Sequence, residues 1–255
     1  MKIQSKTMYA AVITCILLTA PVGPETQGWA GETVDNSIYA DLLAKYVRQG
    51  AVDYAGLKKE EARLDQYLKV LEHVDAKALS GNDQFAFYVN AYNAWTIKLI
   101  LSGYPGVKSI KDFGNLLKSP WKKKFVRIDR NVISLDDIEH GILRPRFKDP
   151  RVHFAVNCAS IGCPSLLSEP YEGSKLDEQL DHSARSFINN SQRNRFDGRT
   201  LYVSSIFKWF SEDFHDDVPG FFLKYAEGTF KKELEAKKDR LKIKFLQYDW
   251  SLNGK

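Results

Sequence analysis

The stretch QFAFYVNAYNAWTIKLILS, from Gln84 to Ser102, is the most apolar helical pattern in the chain. The residues Gly-Asn-Asp at positions 81–83 precede it, and Gly103 follows with Pro105 just beyond, so both helix ends are marked. Apolar side chains fall on most faces of this helix, as is typical of a helix in a protein interior. We therefore predict a buried central helix near residues 84–102.

Weaker patterns on both sides of this helix alternate between helices and short strands. Helical spacing of apolar residues predicts helices at residues 37–49, 57–74, 135–143, 176–189, 221–225 and 229–234. Short apolar runs predict strands at residues 125–128, 152–156, 201–203 and 243–248. No linker rich in Pro, Gly or Ser interrupts this series. We predict an α+β fold, a single mixed helix/sheet domain with a small sheet, spanning residues 31–255.

The composition excludes several classes of protein. The chain has 255 residues, of which 44% are hydrophobic and 27% charged, with a formal net charge of +5, which is a globular profile. Three cysteines are too few for a disulfide-dense scaffold, and no internal repeat is present. No apolar run reaches the roughly 18 residues that a transmembrane helix needs. We expect no membrane span in the mature protein.

The first thirty residues have the pattern of a secretory signal. Lys2 and Lys6 form a positive start, residues 8–20 are apolar, and Gly28 and Ala30 are small residues suited to cleavage. An uncleaved anchor is the alternative. Cleavage predicts a periplasmic or secreted protein that has lost Cys15 and keeps Cys158 and Cys163, in a compartment that permits disulfides.

The densest candidate for chemistry is the small-residue loop that contains Cys158 and Cys163, after the predicted strand at residues 152–156. Two cysteines five positions apart in an exported protein favour a disulfide, whereas a reactive thiol at Cys158 is the functional alternative. A metal site would need His153 and both cysteines, but the spacing of these residues along the chain does not match a zinc knuckle. We therefore predict no metal and no cofactor.

A thiol nucleophile also needs a base. On a straight strand His153 would lie about 16 Å from Cys158, so the two cannot pair along it. His140, from the preceding predicted helix, is then the more suitable partner. The neighbouring Glu139 does not share its helical face.

Asn90 and Asn93 lie three positions apart on the central helix, and therefore on one face. Buried amides without partners would each cost about 1–3 kcal/mol, so both must be hydrogen-bonded. We favour a structural role, such as binding the backbone of the Cys158 loop, over the alternative of orienting a substrate.

Two further features have ordinary interpretations. The aromatic residues of positions 206–214 are more typical of a core than of a carbohydrate platform. Basic runs at residues 118–130 and 231–244 favour a solvated face, with anionic lipids or acidic glycans as the next choice. We expect no nucleic-acid partner.

Several of these segments resemble the bacterial branch of the family called domain of unknown function 547. The matching pieces, in the family's order, are NAYNA at 90–94, EHGILR at 139–144, HFAVNCAS at 153–160 with Cys163-Pro164, and FKWF at 207–210 with Asp213-Phe214. The resemblance covers roughly residues 85–214, and the predicted signal makes this chain an exported member. The resemblance implies no activity, and analogy to thiol hydrolases is not evidence of chemistry.

Two functional hypotheses follow. In the first, a pocket contains Asn90, Asn93, His140, His153 and Cys158. Cys158 is the nucleophile of a hydrolase or transferase acting on an amide or thioester, a histidine is the base, and an asparagine orients the substrate or stabilises the oxyanion. In the second, a non-catalytic envelope binding module holds a Cys158–Cys163 disulfide. The partner is an unidentified small molecule or envelope component.

Overall fold

The computed structural model describes residues 33–115, 118–237 and 240–255. The predicted secretory signal lies outside these ranges. Within them, no helix combines the length and the apolar character needed to span a membrane.

The main elements along the chain are α1 (Ser37–Tyr46), β1 (Val47–Arg48), β2 (Ala51–Val52), α2 (Tyr54–Lys59), α3 (Glu61–His73), α4 (Gly81–Gly103), β3 (Val126–Ile128), β4 (Asn131–Ile133), the π-helical segment Asp137–Leu143, α5 (Arg144–Phe147), α6 (Val152–Ala155), α7 (Leu176–Ile188), β5 (Arg195–Phe196), β6 (Thr200–Val203), α8 (Ile206–Trp209), α9 (Val218–Tyr225), α10 (Gly228–Glu235) and β7 (Lys242–Phe245). Most of them follow one another with short connections, except between α4 and β3 and between α6 and α7.

The predicted central helix is present as α4. Ser80 caps its start by accepting a hydrogen bond from the Asp83 N–H, and Tyr104 leaves the helix in an extended conformation. Residues on all its faces are buried, including Phe87, Val89 and Ile100. The prediction of a buried helix inside a mixed α+β domain is confirmed.

Two apolar cores share the described part of the chain. The larger one surrounds α4 and collects residues from α1, α3 and β3. The second is rich in phenylalanine and joins α7, β6 and α9. Its rings contact one another at tilted angles in a continuous group that includes Phe154, Phe207 and Phe222. The segment at residues 206–214 therefore contributes largely to a core, as its composition indicated.

The sheets are small. Strands β1 and β2 form one antiparallel pair, and β3 and β4 form another. Strand β6 lies at the centre of a three-stranded sheet, antiparallel to β5 and parallel to β7, with Leu201 opposite Ile243. This sheet backs the second core.

Three predictions of local structure were wrong. Residues 152–155 form the helix α6 instead of a strand, because a short and fully buried apolar run carries no periodicity that separates the two. The helix predicted at 57–74 is two helices, broken at Glu60, whose carboxylate accepts a hydrogen bond from Tyr46 in α1. The helix predicted at 135–143 is largely π-helical, a form that the 3.6-residue period does not describe.

Candidate functional site

The Cys158 loop leaves the end of α6 and is fixed by amide side chains. Asn157 donates to the Pro164 carbonyl at 2.7 Å and accepts from the Ala159 N–H at 2.9 Å. Ala159 has a left-handed φ of 61°, which turns the chain sharply. The C-terminal segment packs on this loop, since the N–H groups of Ile161 and Gly162 donate to the carbonyls of Ser251 and Asp249. Residues 249–251 thus lie against the Cys158 loop.

Cys158 and Cys163 are joined by a disulfide across a Cα–Cα distance of 6.3 Å. Cys163 is buried, whereas Cys158 is half-buried. The Cys158 N–H donates to Cys163 Sγ at 2.9 Å, and the Tyr248 hydroxyl lies 3.3 Å from Cys158 Sγ and 3.1 Å from Cys163 Sγ. Burial raises the pKa of Tyr248 above its ordinary value of 10.0, so this hydroxyl stays protonated and acts as a donor.

His153 is buried on α6 and held by a chain of charged groups. Its Nε2 lies 2.5 Å from Asp213 Oδ2, and its ring stacks on Phe210 at 4.0 Å between centroids. Arg144 binds both oxygens of Asp213, at 2.6 and 3.1 Å. Burial alone would raise the pKa of Asp213, but hydrogen bonds from His153 and Arg144 outweigh it and hold the pKa well below the ordinary value of 3.8. Asp213 is therefore ionised and accepts the hydrogen of Nε2, and Nδ1 has no hydrogen-bond partner among the described residues.

Glu139, from the π-helical segment, faces that free nitrogen. Its Oε1 lies 4.0 Å from His153 Nδ1, and its side chain is only 10% exposed. Burial, together with the carboxylate of Glu139, raises the pKa of Tyr92 on α4 well above its ordinary value. Glu139, Asp213 and Tyr248 were not among the predicted site residues. The matching motifs at 139–144 and 207–214 were the available signals for Glu139 and Asp213, and nothing comparable marked Tyr248.

His140 lies at the same site but in a different environment. Its Nδ1 is 3.1 Å from Arg144 Nη1, and because guanidinium is only a donor, this Nδ1 accepts the bond. Its Nε2 faces Asp136 at 3.9 Å, and its side chain is 37% exposed. The only lone pair of neutral His140 is thus engaged by an arginine.

Asn90 and Asn93 hold loops in place. Asn90 donates to the Tyr171 carbonyl at 2.8 Å and accepts from the Tyr171 N–H at 2.9 Å. Asn93 donates to the Ala155 carbonyl at 3.0 Å and accepts from the Asn157 N–H at 2.8 Å. Asn93 therefore fixes the junction between α6 and the Cys158 loop, and with it the relative positions of His153 and Cys158.

These groups meet at one cavity of about 220 Å³. It is lined by Tyr92, Ser119, Trp121, Asp136, Glu139, His140, His153, Val156, Cys158, Cys163, Pro164, Ile206, Trp209, Phe210, Tyr248 and Trp250. The structure thus brings three of the predicted residues, Cys158, His140 and His153, to one cavity, whereas Asn90 and Asn93 do not line it. The strand geometry that argued against His153 as the base does not apply, since residues 152–155 are helical.

A larger depression of about 860 Å³ lies at the starts of α1 and α4. Neither cysteine nor histidine lines it. Within the described ranges, no group of three or more His, Cys, Asp and Glu residues is arranged to hold a metal ion. The chemistry-bearing side chains are concentrated at the smaller cavity.

The comparisons with known proteins cover much of this site. Residues 76–188 match the family model described as "Protein of unknown function, DUF547". The match includes α4, the π-helical segment, α6 and both cysteines, whereas Asp213 and Tyr248 lie beyond it. No curated protein and no solved structure gives a significant match to the chain. The predicted resemblance is therefore supported over residues 76–188.

Proposed function

We propose that the cavity is the active site of a cysteine-dependent hydrolase or transferase that acts on an amide or a thioester. Cys158 is the nucleophile, and the disulfide keeps it inactive until a thiol reductant opens it. The observation that carries the proposal is the arrangement of His153. Its Nε2 is held by an ionised Asp213, and His153 and Cys158 line the same cavity.

The chemistry begins with reduction of the bridge. A thiolate of the reductant attacks Cys158 Sγ, and Cys163 leaves as a thiolate that receives hydrogen bonds from the Cys158 N–H and the Tyr248 hydroxyl. A second thiol of the reductant then displaces the mixed disulfide and frees Cys158. The oxidised product is the disulfide of the reductant.

Acyl transfer follows from the free thiol. His153 Nδ1 takes the Cys158 proton while the thiolate attacks the acyl carbon, and the proton then goes to the departing amine or thiol. Water completes hydrolysis, and another nucleophile completes transfer. His153 suits the role of base better than His140, whose Nδ1 accepts a bond from Arg144. Asp213 is a positioning residue for His153.

The cysteine variants test this proposal with opposite expected effects. Against a panel of acyl thioesters and peptide amides, wild type should require a reductant, Cys163→Ser should be active without one, and Cys158→Ser should be inactive under both conditions. His153→Gln should lower kcat by about a hundredfold or more, because it removes the base. The exposed His182→Gln, on α7, is the matched control and should retain full activity.

Activity of Cys163→Ser no greater than that of Cys158→Ser, across the whole panel, would overturn the thiol mechanism. The second candidate, a non-catalytic envelope binding module, would then stand. The disulfide itself favours this candidate, since it leaves no thiol in the cavity. Its expected signature is ligand affinity that Cys158→Ser leaves unchanged.

Both candidates include export to the periplasm or the exterior as a proposal. The disulfide supports such a compartment because bridges persist where the surroundings are oxidising. Thiol titration and mass mapping of protein recovered from each cell fraction would test it. A reduced pair in cytoplasmic material only would contradict it.

A further inference from the structure

We propose that the cavity binds an organic cation, a quaternary or alkylated ammonium group. The inference rests on the proposed function only in placing this ligand at the same cavity, and it does not require a free thiol. Two properties of the walls carry it, their charge and their aromatic faces.

The charge of the cavity is opposite to that of the whole chain. The chain has a formal net charge of +5, yet the cavity lining contains two carboxylates, Asp136 and Glu139, and neither Lys nor Arg. Among the described residues, no Lys or Arg nitrogen lies within 4.0 Å of either carboxylate, and their only ion-pair neighbours are His140 at 3.9 Å and His153 at 4.0 Å. Tyr92 shares a side-chain hydrogen bond with Glu139, but a hydroxyl supplies no positive charge. Because a buried carboxylate is stabilised by an opposite charge, Glu139 favours a positive ligand.

The aromatic walls suit a soft, weakly hydrated cation. Trp121, Trp209, Tyr248 and Trp250 form a cluster at the cavity, with centroid separations of 4.5–5.7 Å. Trp209 is 46% exposed, a large apolar surface for a residue beside a core. Aromatic faces attract ammonium groups through the ring quadrupole, and alkylated ammonium is the form that loses least on leaving water.

The same cluster already accepts an ammonium group from the protein. Lys111 Nζ lies 3.8 Å from the centroid of Trp250, on a depression beside the cavity. Phe210 contributes less, because its ring is stacked on His153 and the Arg144 guanidinium carbon lies 5.0 Å from its centroid. The ligand's cation is therefore expected among Trp121, Trp209 and Tyr248, with Glu139 as its counter-ion.

A pair of isosteric probes tests the charge directly. Choline and its neutral carbon isostere, 3,3-dimethylbutan-1-ol, are titrated into the oxidised full chain and followed by tryptophan fluorescence and by calorimetry. Choline should bind about tenfold more tightly than the isostere, because only choline gains cation–π and ionic contacts. Because the oxidised chain holds Cys158 and Cys163 as a disulfide, binding of choline to it is independent of the thiol mechanism.

Variants of the walls locate the site. Trp209→Ala and Glu139→Gln should each weaken choline binding by about fivefold. Glu139→Gln should leave the affinity for the neutral isostere nearly unchanged. If Glu139→Gln does not fold, Asp136→Asn replaces it as the carboxylate variant. The control is Asp41→Asn, because the Asp41 carboxylate lies outside the cavity and pairs with Arg63. Equal affinity for both probes, no binding of choline, or binding unaffected by all the cavity variants would overturn the proposal.

Discussion

The polar groups of α4 and those of the cavity wall differ in how far their hydrogen-bonding capacity is used. Asn90 and Asn93 are 1% and 2% exposed, and the oxygen and nitrogen of each amide are bonded to backbone groups. Glu139 and His153 are also buried, but both line the cavity, and Glu139 Oε1 lies 4.0 Å from His153 Nδ1, beyond hydrogen-bond distance. The first pair holds the structure together, and the second retains capacity for a ligand.

This difference separates positioning from chemistry among residues that are equally buried. A buried polar group with all its partners inside the protein contributes to stability, and its loss leaves other groups unsatisfied. A buried group whose free atom faces a cavity contributes less to stability, and its loss lowers ligand affinity or reaction rate. Three stability measurements test this distinction, in decreasing order of expected effect.

The largest effect is expected for Asn93→Ala. The variant leaves the Ala155 carbonyl and the Asn157 N–H unsatisfied in the interior, which should lower the free energy of unfolding by about 3 kcal/mol. Urea unfolding followed by circular dichroism measures it. Glu139→Gln, at a residue that is also buried but lies at the cavity, is the control and should cost less than about 1 kcal/mol. A cost for Glu139→Gln as large as that for Asn93→Ala would erase the distinction.

The next effect concerns the bridge. Replacing both Cys158 and Cys163 by serine should cost about 2 kcal/mol relative to oxidised wild type, since the bridge closes only a short loop in the unfolded chain. The difference should vanish when wild type is unfolded in a reductant. A difference that persists after reduction would mean that packing of the sulfur atoms, and not loop closure, stabilises this region.

The smallest effect is expected for Asp213→Asn and depends on pH. Because the folded state lowers the pKa of Asp213, its stabilisation is complete above the ordinary value of 3.8 and is lost as pH falls through the lower folded value. Near neutral pH, Asp213→Asn should cost below about 1 kcal/mol, the usual range for a partly solvated ion pair. The gap between variant and wild type should close in acid. A gap that stays constant from neutral pH to well below 3.8 would contradict the assigned charge state.

Prediction from the sequence succeeded where a long periodic pattern was available. The pattern at residues 84–102 predicted α4 and its burial, because 23 helical residues with apolar side chains on most faces have few alternative structures. Prediction failed at residues 152–155, because four consecutive buried residues show no periodic spacing of apolar side chains. It also failed at residues 137–143, because a π-helix has a different number of residues per turn from an α-helix. The failure at 152–155 also affected the site, since a straight strand would have kept His153 away from Cys158.

The sequence by itself determined the α+β class, the central helix and the pair of cysteines close enough along the chain to be bridged. Those features depend on residues that are close along the chain or share one helical face, so the spacing of apolar residues and cysteines is enough to predict them. The tertiary structure decided that Tyr248 and Trp250 meet His153 and Cys158 at one cavity, and that Asp213 binds His153. Asp213 and Tyr248 lie 60 and 90 positions from the residues they contact. Only packing of the two cores brings such distant residues together.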